Sequence, residues 1–371
     1  MVDSVGGMNF MGKVLGMVSK KEGRNKIIDC GLGESSHYSS EGNILKILSK
    51  NKDNFSSYVT PTQGLLLLRE GIAITLTKEF KKPIGVESLM VTPGSELALD
   101  LVYKTFLNPG DEIVIFDPFF IPFVSFANSY LAVPRIVDTY KSSFLPDLES
   151  VNRVINRKTK IIVVNSPNNP TGRVYPKNII EEIVSMAKKR GIFILADEAY
   201  KSFDYNNIFN SPFSIYPEGT IVLRTFSKEY SMMGYKVGYI LANEAIINKI
   251  RRIQYPGWGA PMLSSLLAAE ALKESINYKK LTKYKQIRNF LYSHFKRLDL
   301  VNYLPEGAFY FYIKSPNNKA IDFAVTLAKK GLLVIPAFSK RKTHVRLSYG
   351  KLRISQASEA VEIIKEVLKD V

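Results

Sequence analysis

Between about residues 88 and 242 the chain alternates short apolar, β-branched runs with longer stretches of helical periodicity. The runs fall at 89–92, 112–116, 160–164, 193–196 and 220–223, and amphipathic stretches such as 179–190 lie between them. Alternation of this kind argues for a mostly parallel sheet with helices on both faces. The fold class is therefore α/β, with a large domain built on that sheet. From 262 to 298 the pattern is helical and long, and it reads as a spine leaving the large domain. The remainder, about 299–371, mixes short strands at 309–313, 332–335 and 345–347 with helices. The last helix carries Val361, Ile364 and Leu368 at helical spacing. A smaller α+β domain is expected there. The expected division is 45–275 for the large domain, with 1–44 and 276–371 forming the small one.

Composition narrows the function classes. A chain of 371 residues that is 46% hydrophobic can bury a sizeable core. One cysteine, Cys30, excludes a disulfide framework and points to a reducing compartment. No apolar run approaches the roughly 20 residues of a membrane span, and residues 1–21 are broken by Gly, Ser and Lys, unlike a signal peptide. The expectation is a cytoplasmic protein with no membrane partner. The net charge of +17 could steer nucleic acid. The basic residues are scattered, however, and no zinc spacing or helix-turn-helix signal accompanies them, so a solvated lysine-rich surface is expected and no nucleic-acid partner. Three histidines give poor support for a metal site; none is expected.

Three of the predicted strands end in chemically loaded segments. Asn169-Pro170-Thr171-Gly172 follows 161–164, Asp197-Glu198-Ala199-Tyr200 follows 193–196, and Thr225-Phe226-Ser227-Lys228 follows 221–223. Ligands in open α/β sheets bind at this carboxyl rim. An amine for a Schiff base and a carboxylate for a pyridinium nitrogen are what a pyridoxal 5'-phosphate site needs. Each residue also has a plainer reading. Lys228 is one of 51 Lys and Arg; Asp197 could cap a helix; Asn169 sits among turn formers. It is their order along the chain that favours the site. Gly94-Ser95-Glu96 follows 89–92 and opens a helix over 97–107. Backbone amides at a helix start make a phosphate cradle, although a glycine there is also a routine turn. Phe120, in a run with Phe119 and Phe123, is either a stacking platform or core.

The ordered set Tyr58-x-x-Pro61-x-x-Gly64, Gly94-Ser95, Asp117-Pro118-x-Phe120, Asn169-Pro170-Thr171-Gly172, Asp197-x-x-Tyr200, Ser227-Lys228 and Arg346 resembles the fold-type I, class I/II aminotransferases, in their aspartate-aminotransferase-like branch. The resemblance runs from about Asp29 to the end. It implies that Lys228 holds the cofactor as a Schiff base and then moves a proton at the substrate, with Asp197 and Tyr200 as its catalytic companions. It implies that Asp197 pairs with the ring nitrogen, and that Tyr200 and Asn169 bond the ring's phenolic oxygen. Gly94, Ser95, the backbone of Glu96, Thr225, Ser227 and Lys236 would surround the phosphate, and Phe120 would stack on the ring. Arg346 would grip the substrate α-carboxylate in its planar fork, helped by Asn169 and by Gly33. Tyr58 would reach the phosphate in a neighbouring subunit, which implies a homodimer with shared active sites. The implied activity is transamination between an amino acid and a 2-oxo acid by a ping-pong cycle.

Three positions depart from the family's pattern. Gly234-Tyr235-Lys236-Val237-Gly238 carries lysine where the family writes arginine, which keeps the charge and loses the fork. Glu96 stands where relatives with acidic substrates can carry a cationic or amide residue. Gly33-Glu34-Ser35-Ser36-His37 lacks the usual Pro-Asp-Phe. Rival readings are a decarboxylase or β-lyase on the same scaffold, a cofactor-sensing transcription regulator, for whose winged-helix domain no room is expected before residue 29, and a basic nucleic-acid-binding protein.

Overall fold

The computed structural model describes residues 27–35, 46–47, 49–50, 61–254, 259–273, 278–336 and 339–369. Chain order gives β1 (Ile28–Asp29), α1 (Leu66–Phe80), β2 (Leu89–Thr92), α2 (Ser95–Phe106), β3 (Glu112–Asp117), α3 (Pro122–Ser129), β4 (Val133–Asp138), α4 (Leu148–Val154), β5 (Thr159–Asn165), α5 (Lys177–Arg190), β6 (Phe193–Asp197), β7 (Thr220–Thr225), α6 (Phe226–Glu229) and β8 (Gly238–Leu241). The seven strands from β2 to β8 form one sheet in the order β2-β8-β7-β6-β5-β3-β4. Every neighbouring pair is parallel except the two that β8 makes. Each predicted run thus became a strand: 89–92 keeps its bounds as β2, and the other four are extended by one or two residues. The edge strand β4 is the exception to burial: its residues alternate toward solvent, whereas β2, β3, β7 and β8 are buried throughout.

Side-chain alternation decides which helices cover which face. Ile113, Ile115, Ile161, Val163, Leu195, Ile221 and Leu223 meet α2, α3 and α7 (Glu244–Ile253). The intervening residues Val114, Phe116, Ile162, Val164 and Ile194 meet α4 and α5 on the other face. Val91, Val222 and Leu241 meet α1 and α8 (Met262–Ala271) on that same side. Local signals set the boundaries: Asp147 caps α4 by accepting from the Ser150 amide at 3.1 Å, and Gly191, at φ 64°, ends α5.

The expected spine is two helices, α8 and α9 (Tyr278–Arg297). The first ends where the Lys273 amide turns back to the Glu270 carbonyl, three residues away, instead of continuing the α ladder. Beyond α9, β9 (Tyr310–Lys314), α10 (Ala320–Lys329), β10 (Leu332–Leu333), β11 (Ile335–Pro336), β12 (His344–Ser348) and α11 (Ile354–Lys369) follow. β11, β12 and β9 form an antiparallel sheet, and β10 pairs in parallel with β1 from the other end of the chain. The single predicted run at 332–335 is therefore divided between two sheets. Phe309, Phe311, Ile313, Val345 and Leu347 pack among the helices α9, α10 and α11. Tyr310 and Tyr312, between them, reach back to Tyr200 and Tyr140 beside the large sheet.

Candidate active site

Register brings the rim together. Gly238 is the partner of both Thr92 and Thr225, and Asn165 lies opposite Asp197. The carboxyl ends of β2, β5, β6 and β7 therefore share one edge of the sheet. Gly238 is there for space: a Cβ would stand 2.7 Å from the Gly94 carbonyl carbon and the Ser95 nitrogen. Gly94 itself, at φ 87°, opens α2, and a Cβ on it would meet nothing within 4 Å. The first turn of α2 thus starts over open space, as an anion cradle requires. Glu96, in that first turn, is exposed.

Lys228 lies in the single turn of α6. Thr225 caps that turn, its Oγ1 accepting from the Ser227 amide at 3.1 Å and donating to the Val237 carbonyl at 3.3 Å. Ser227, half-buried, is the residue between cap and lysine. Lys228 Nζ donates to the Gly33 carbonyl at 2.5 Å and stands 6.0 Å from the centre of the Tyr200 ring. Burial, with Arg346 and Lys236 nearby, lowers its pKa to about 8, against the opposing pull of Glu96 and Asp197. Asp197, at the end of β6, accepts from the Ala199 amide at 3.1 Å. Burial raises its pKa to about 7, with Glu198 and Glu96 adding to the shift and Lys228 opposing it.

On the opposite wall Arg346, in β12, donates to Asn169 Oδ1 at 3.0 Å and to the Gly31 carbonyl at 2.7 Å. Its guanidinium lies 4.7 Å from the centre of the Tyr310 ring, and its Nε is buried with no partner among the described residues. The Asn169 turn is held from behind. The Asn169 amide donates to Asn165 Oδ1 at 2.8 Å, and Tyr303 donates its hydroxyl to the Thr171 carbonyl at 2.7 Å. Gly172, at φ 70°, presses against Gly307 and Pro305, where a Cβ would come within 2.8 Å.

Most of the sequence-predicted residues gather here. Gly33 does so through its carbonyl to Lys228, while the backbone group on Arg346 is that of Gly31. Phe120 is half-buried and meets Phe123 edge-on at 5.6 Å; Phe119 and Phe123 are core. Lys236 is exposed, in the left-handed region at φ 51°, and its charge reaches Lys228. Tyr58 lies outside the described residues.

Sequence reasoning missed three supports. Tyr310 donates to or accepts from Tyr200, hydroxyl to hydroxyl, at 2.6 Å. Ser35 donates to the Lys228 carbonyl at 2.6 Å. Behind Asp197, the buried Arg224 joins Glu198 Oε2 at 2.7 Å and Glu79 Oε1 at 2.7 Å, tying the end of α1 to β6 and β7. The lone arginine inside the apolar run of β7 was the available signal for this last network, since a buried guanidinium requires paired carboxylates.

Known proteins share this architecture. The model of the family described as Aminotransferase class I and II matches residues 27–364. The chain is 32% identical over 314 residues to the aspartate aminotransferase of Thermotoga maritima, covering 83% of each. It is 28% identical over 369 residues to an aromatic-amino-acid aminotransferase of Thermococcus litoralis, covering 94% of this chain and 93% of that one. The crystal structure of the Thermotoga maritima aspartate aminotransferase superposes with a TM-score of 0.88, covering 98% of this chain and 96% of that one at 28% identity. The α/β reading holds, the rival classes are not favoured, and the chain belongs to the class I and II aminotransferase family and is an aminotransferase.

Proposed function

We propose that the chain works with pyridoxal 5'-phosphate, passing an amino group from an amino acid to a 2-oxo acid in a ping-pong cycle. The observation that carries this is the pairing of a buried amine of lowered pKa, Lys228, with a buried carboxyl, Asp197, at one rim. The other walls fit the same cofactor. Among the described residues, Gly94 opens a helix start onto free space, and Arg346 presents a guanidinium whose buried Nε has no partner. When bound, the cofactor supplies an aldehyde that captures amino groups and a ring that withdraws electrons from the substrate Cα. Lys228 Nζ would be the amine that holds the cofactor's aldehyde carbon, and when free it would carry the proton at the substrate Cα, which a pKa near 8 suits. Asp197 would hold the ring nitrogen, Tyr200 and Asn169 would serve its phenolic oxygen, Phe120 would stack on it, and the amides of Ser95 and Glu96, with Thr225, Ser227 and Lys236, would surround the phosphate. Arg346, with Asn169 and the Gly33 backbone, takes the α-carboxylate.

The test is Lys228→Ala. It should abolish transamination, and borohydride reduction of the parent should tag the peptide that contains residue 228. Near-normal turnover of the variant, or a tag elsewhere, overturns the assignment.

The homodimer reading has support in α1. Leu67 and Ile74 are two turns apart on one face and are 55% and 59% exposed. That apolar face lies just after the segment carrying Tyr58, the residue expected to cross to a second copy. The two-domain division at 45–275 is supported by the pairing of β1 with β10, which ties the N-terminal segment to the C-terminal part. A cytoplasmic setting is supported by the presence of a single cysteine, Cys30. No helix among the described residues is long and apolar enough to cross a membrane.

A further inference from the structure

Tyr310 meets three parts of the site, Tyr200, Arg346 and Gly33. Its hydroxyl lies 2.6 Å from that of Tyr200, and the two rings meet nearly edge-on at 5.3 Å. Arg346 covers its ring at 4.7 Å. The Gly33 Cα packs so close that a Cβ there would sit 2.0 Å from the Tyr310 oxygen. Both phenols are buried, 4% and 0% exposed, so each needs a hydrogen-bond partner.

Two buried hydroxyls at this distance share one bond, and one of them must donate. The charged groups acting on the pair decide which. Arg346 is the cation nearest Tyr310, and Asp197 the anion acting on both rings. Lys228, flanked by the charges of Glu96 and Lys236, lies 6.0 Å from the Tyr200 ring centre. A guanidinium over the Tyr310 ring makes its O–H the better donor. The burial of Tyr200 holds its phenol protonated, far above its usual range.

We propose that Tyr310 is a positioning residue: its hydroxyl donates to Tyr200 and thereby commits the Tyr200 proton to the cofactor side of the site. The same contact links the two halves of substrate recognition. Neutralising Arg346 with a carboxylate weakens the polarisation of Tyr310, and through it the donation by Tyr200. The inference rests on the cofactor reading above, in which Tyr200 serves the ring's phenolic oxygen. A Tyr200 hydroxyl that itself receives a bond is a stronger donor. Removing Tyr310 should therefore weaken stabilisation of the phenolic anion and raise the proton affinity of the Lys228–cofactor imine.

The experiment titrates the near-visible cofactor absorbance of the holoenzyme with pH. It compares the parent, Tyr310→Phe, Tyr200→Phe and the double variant. Tyr310→Phe should raise the midpoint by roughly half a unit, the equivalent of one modest hydrogen bond. Tyr200→Phe should raise it further, and adding Tyr310→Phe to Tyr200→Phe should add nothing. Gly33→Ala, which pushes the Tyr310 hydroxyl aside while keeping the ring, should reproduce the shift in the parent and lose it in the Tyr200→Phe background. It carries the test if Tyr310→Phe does not fold. An unchanged midpoint, an equal shift in both backgrounds, or a lowered melting temperature without a shift overturns the proposal. A parent protein that shows no pH-dependent band overturns the cofactor reading, and this inference with it.

Discussion

Asp197 is held at about 7 in the fold against 3.8 as a free group, because burial disfavours its charged form. Between those values the folded state binds the proton and the unfolded state does not, so stability falls as pH rises through that window. Asparagine removes the ionisation. Cofactor-free Asp197→Asn is therefore expected to melt several degrees higher than the cofactor-free parent at pH 8 and at about the same temperature at pH 4, while losing most activity. Differential scanning fluorimetry at both values checks this, and a gain of equal size at both would mean that ionisation is not the cause. Lys228 has the opposite sign: with its pKa lowered from 10.5 to about 8, stability rises with pH between those values. Glu96 acts by charge rather than by contact, since its carboxylate is felt at both Lys228 and Asp197. A substrate side chain that carries a second carboxylate should meet the same field. We expect Glu96→Gln to raise kcat/KM for aspartate relative to alanine by roughly threefold to tenfold, the upper end being reduced by the exposure of Glu96. An unchanged ratio, or aspartate as the best donor of the parent, would leave Glu96 only its helix-dipole role.

β8 is the element on which the rim depends, because it runs antiparallel between β2 and β7 and begins with Gly238. Gly238→Ala would drive a methyl group into the Gly94 and Ser95 backbone and to within 2.9 Å of the Arg224 carbonyl. Backbone cannot rotate aside as a side chain can. The expected result is a loss of a few kcal/mol in stability and at least tenfold weaker cofactor binding, read from denaturant melts and from absorbance on adding the cofactor. Binding equal to that of the parent would show that the cradle tolerates movement. Such elements differ in how legible they were. β2, β3, β5, β6 and β7 were readable because strands covered on both faces must be continuously apolar, and the residues after them were readable because that rim is where such sheets bind ligands. The Phe309-Tyr310-Phe311-Tyr312 run gave the strand but hid the role of Tyr310, since an alternating aromatic pattern describes a core strand equally well. The Glu79–Arg224 and Gly31–Arg346 contacts join residues far apart in sequence, and no local pattern marks them. The break between α8 and α9 was hidden for the opposite reason: helical periodicity continues across it.

At the scale of the whole molecule the outward face of α1 is the clearest claim on a second copy. Ile74→Glu changes a position exposed in the single chain, so the chain should still fold, with its melting temperature lowered only by the lost association. The expected effect is a shift from dimer to monomer in sedimentation, with activity falling at least tenfold as the shared sites come apart. A dimer that survives with full activity places the interface elsewhere. The pairing of β1 with β10, Ile28 opposite Leu332, bears on how the protein is made. The large sheet is complete in sequence by Leu241, but the wall of the site that faces Lys228 is built from segments on either side of it: Gly31 and Gly33 before it, Tyr310 and Arg346 after it. During synthesis the first of these segments must wait, without its strand partner, until some three hundred further residues have emerged. A ribosome that stalls between Leu241 and Arg346 therefore releases a chain with its lysine and its sheet but without the guanidinium proposed to hold a substrate carboxylate, so that the two halves of the site are made at well-separated moments of translation.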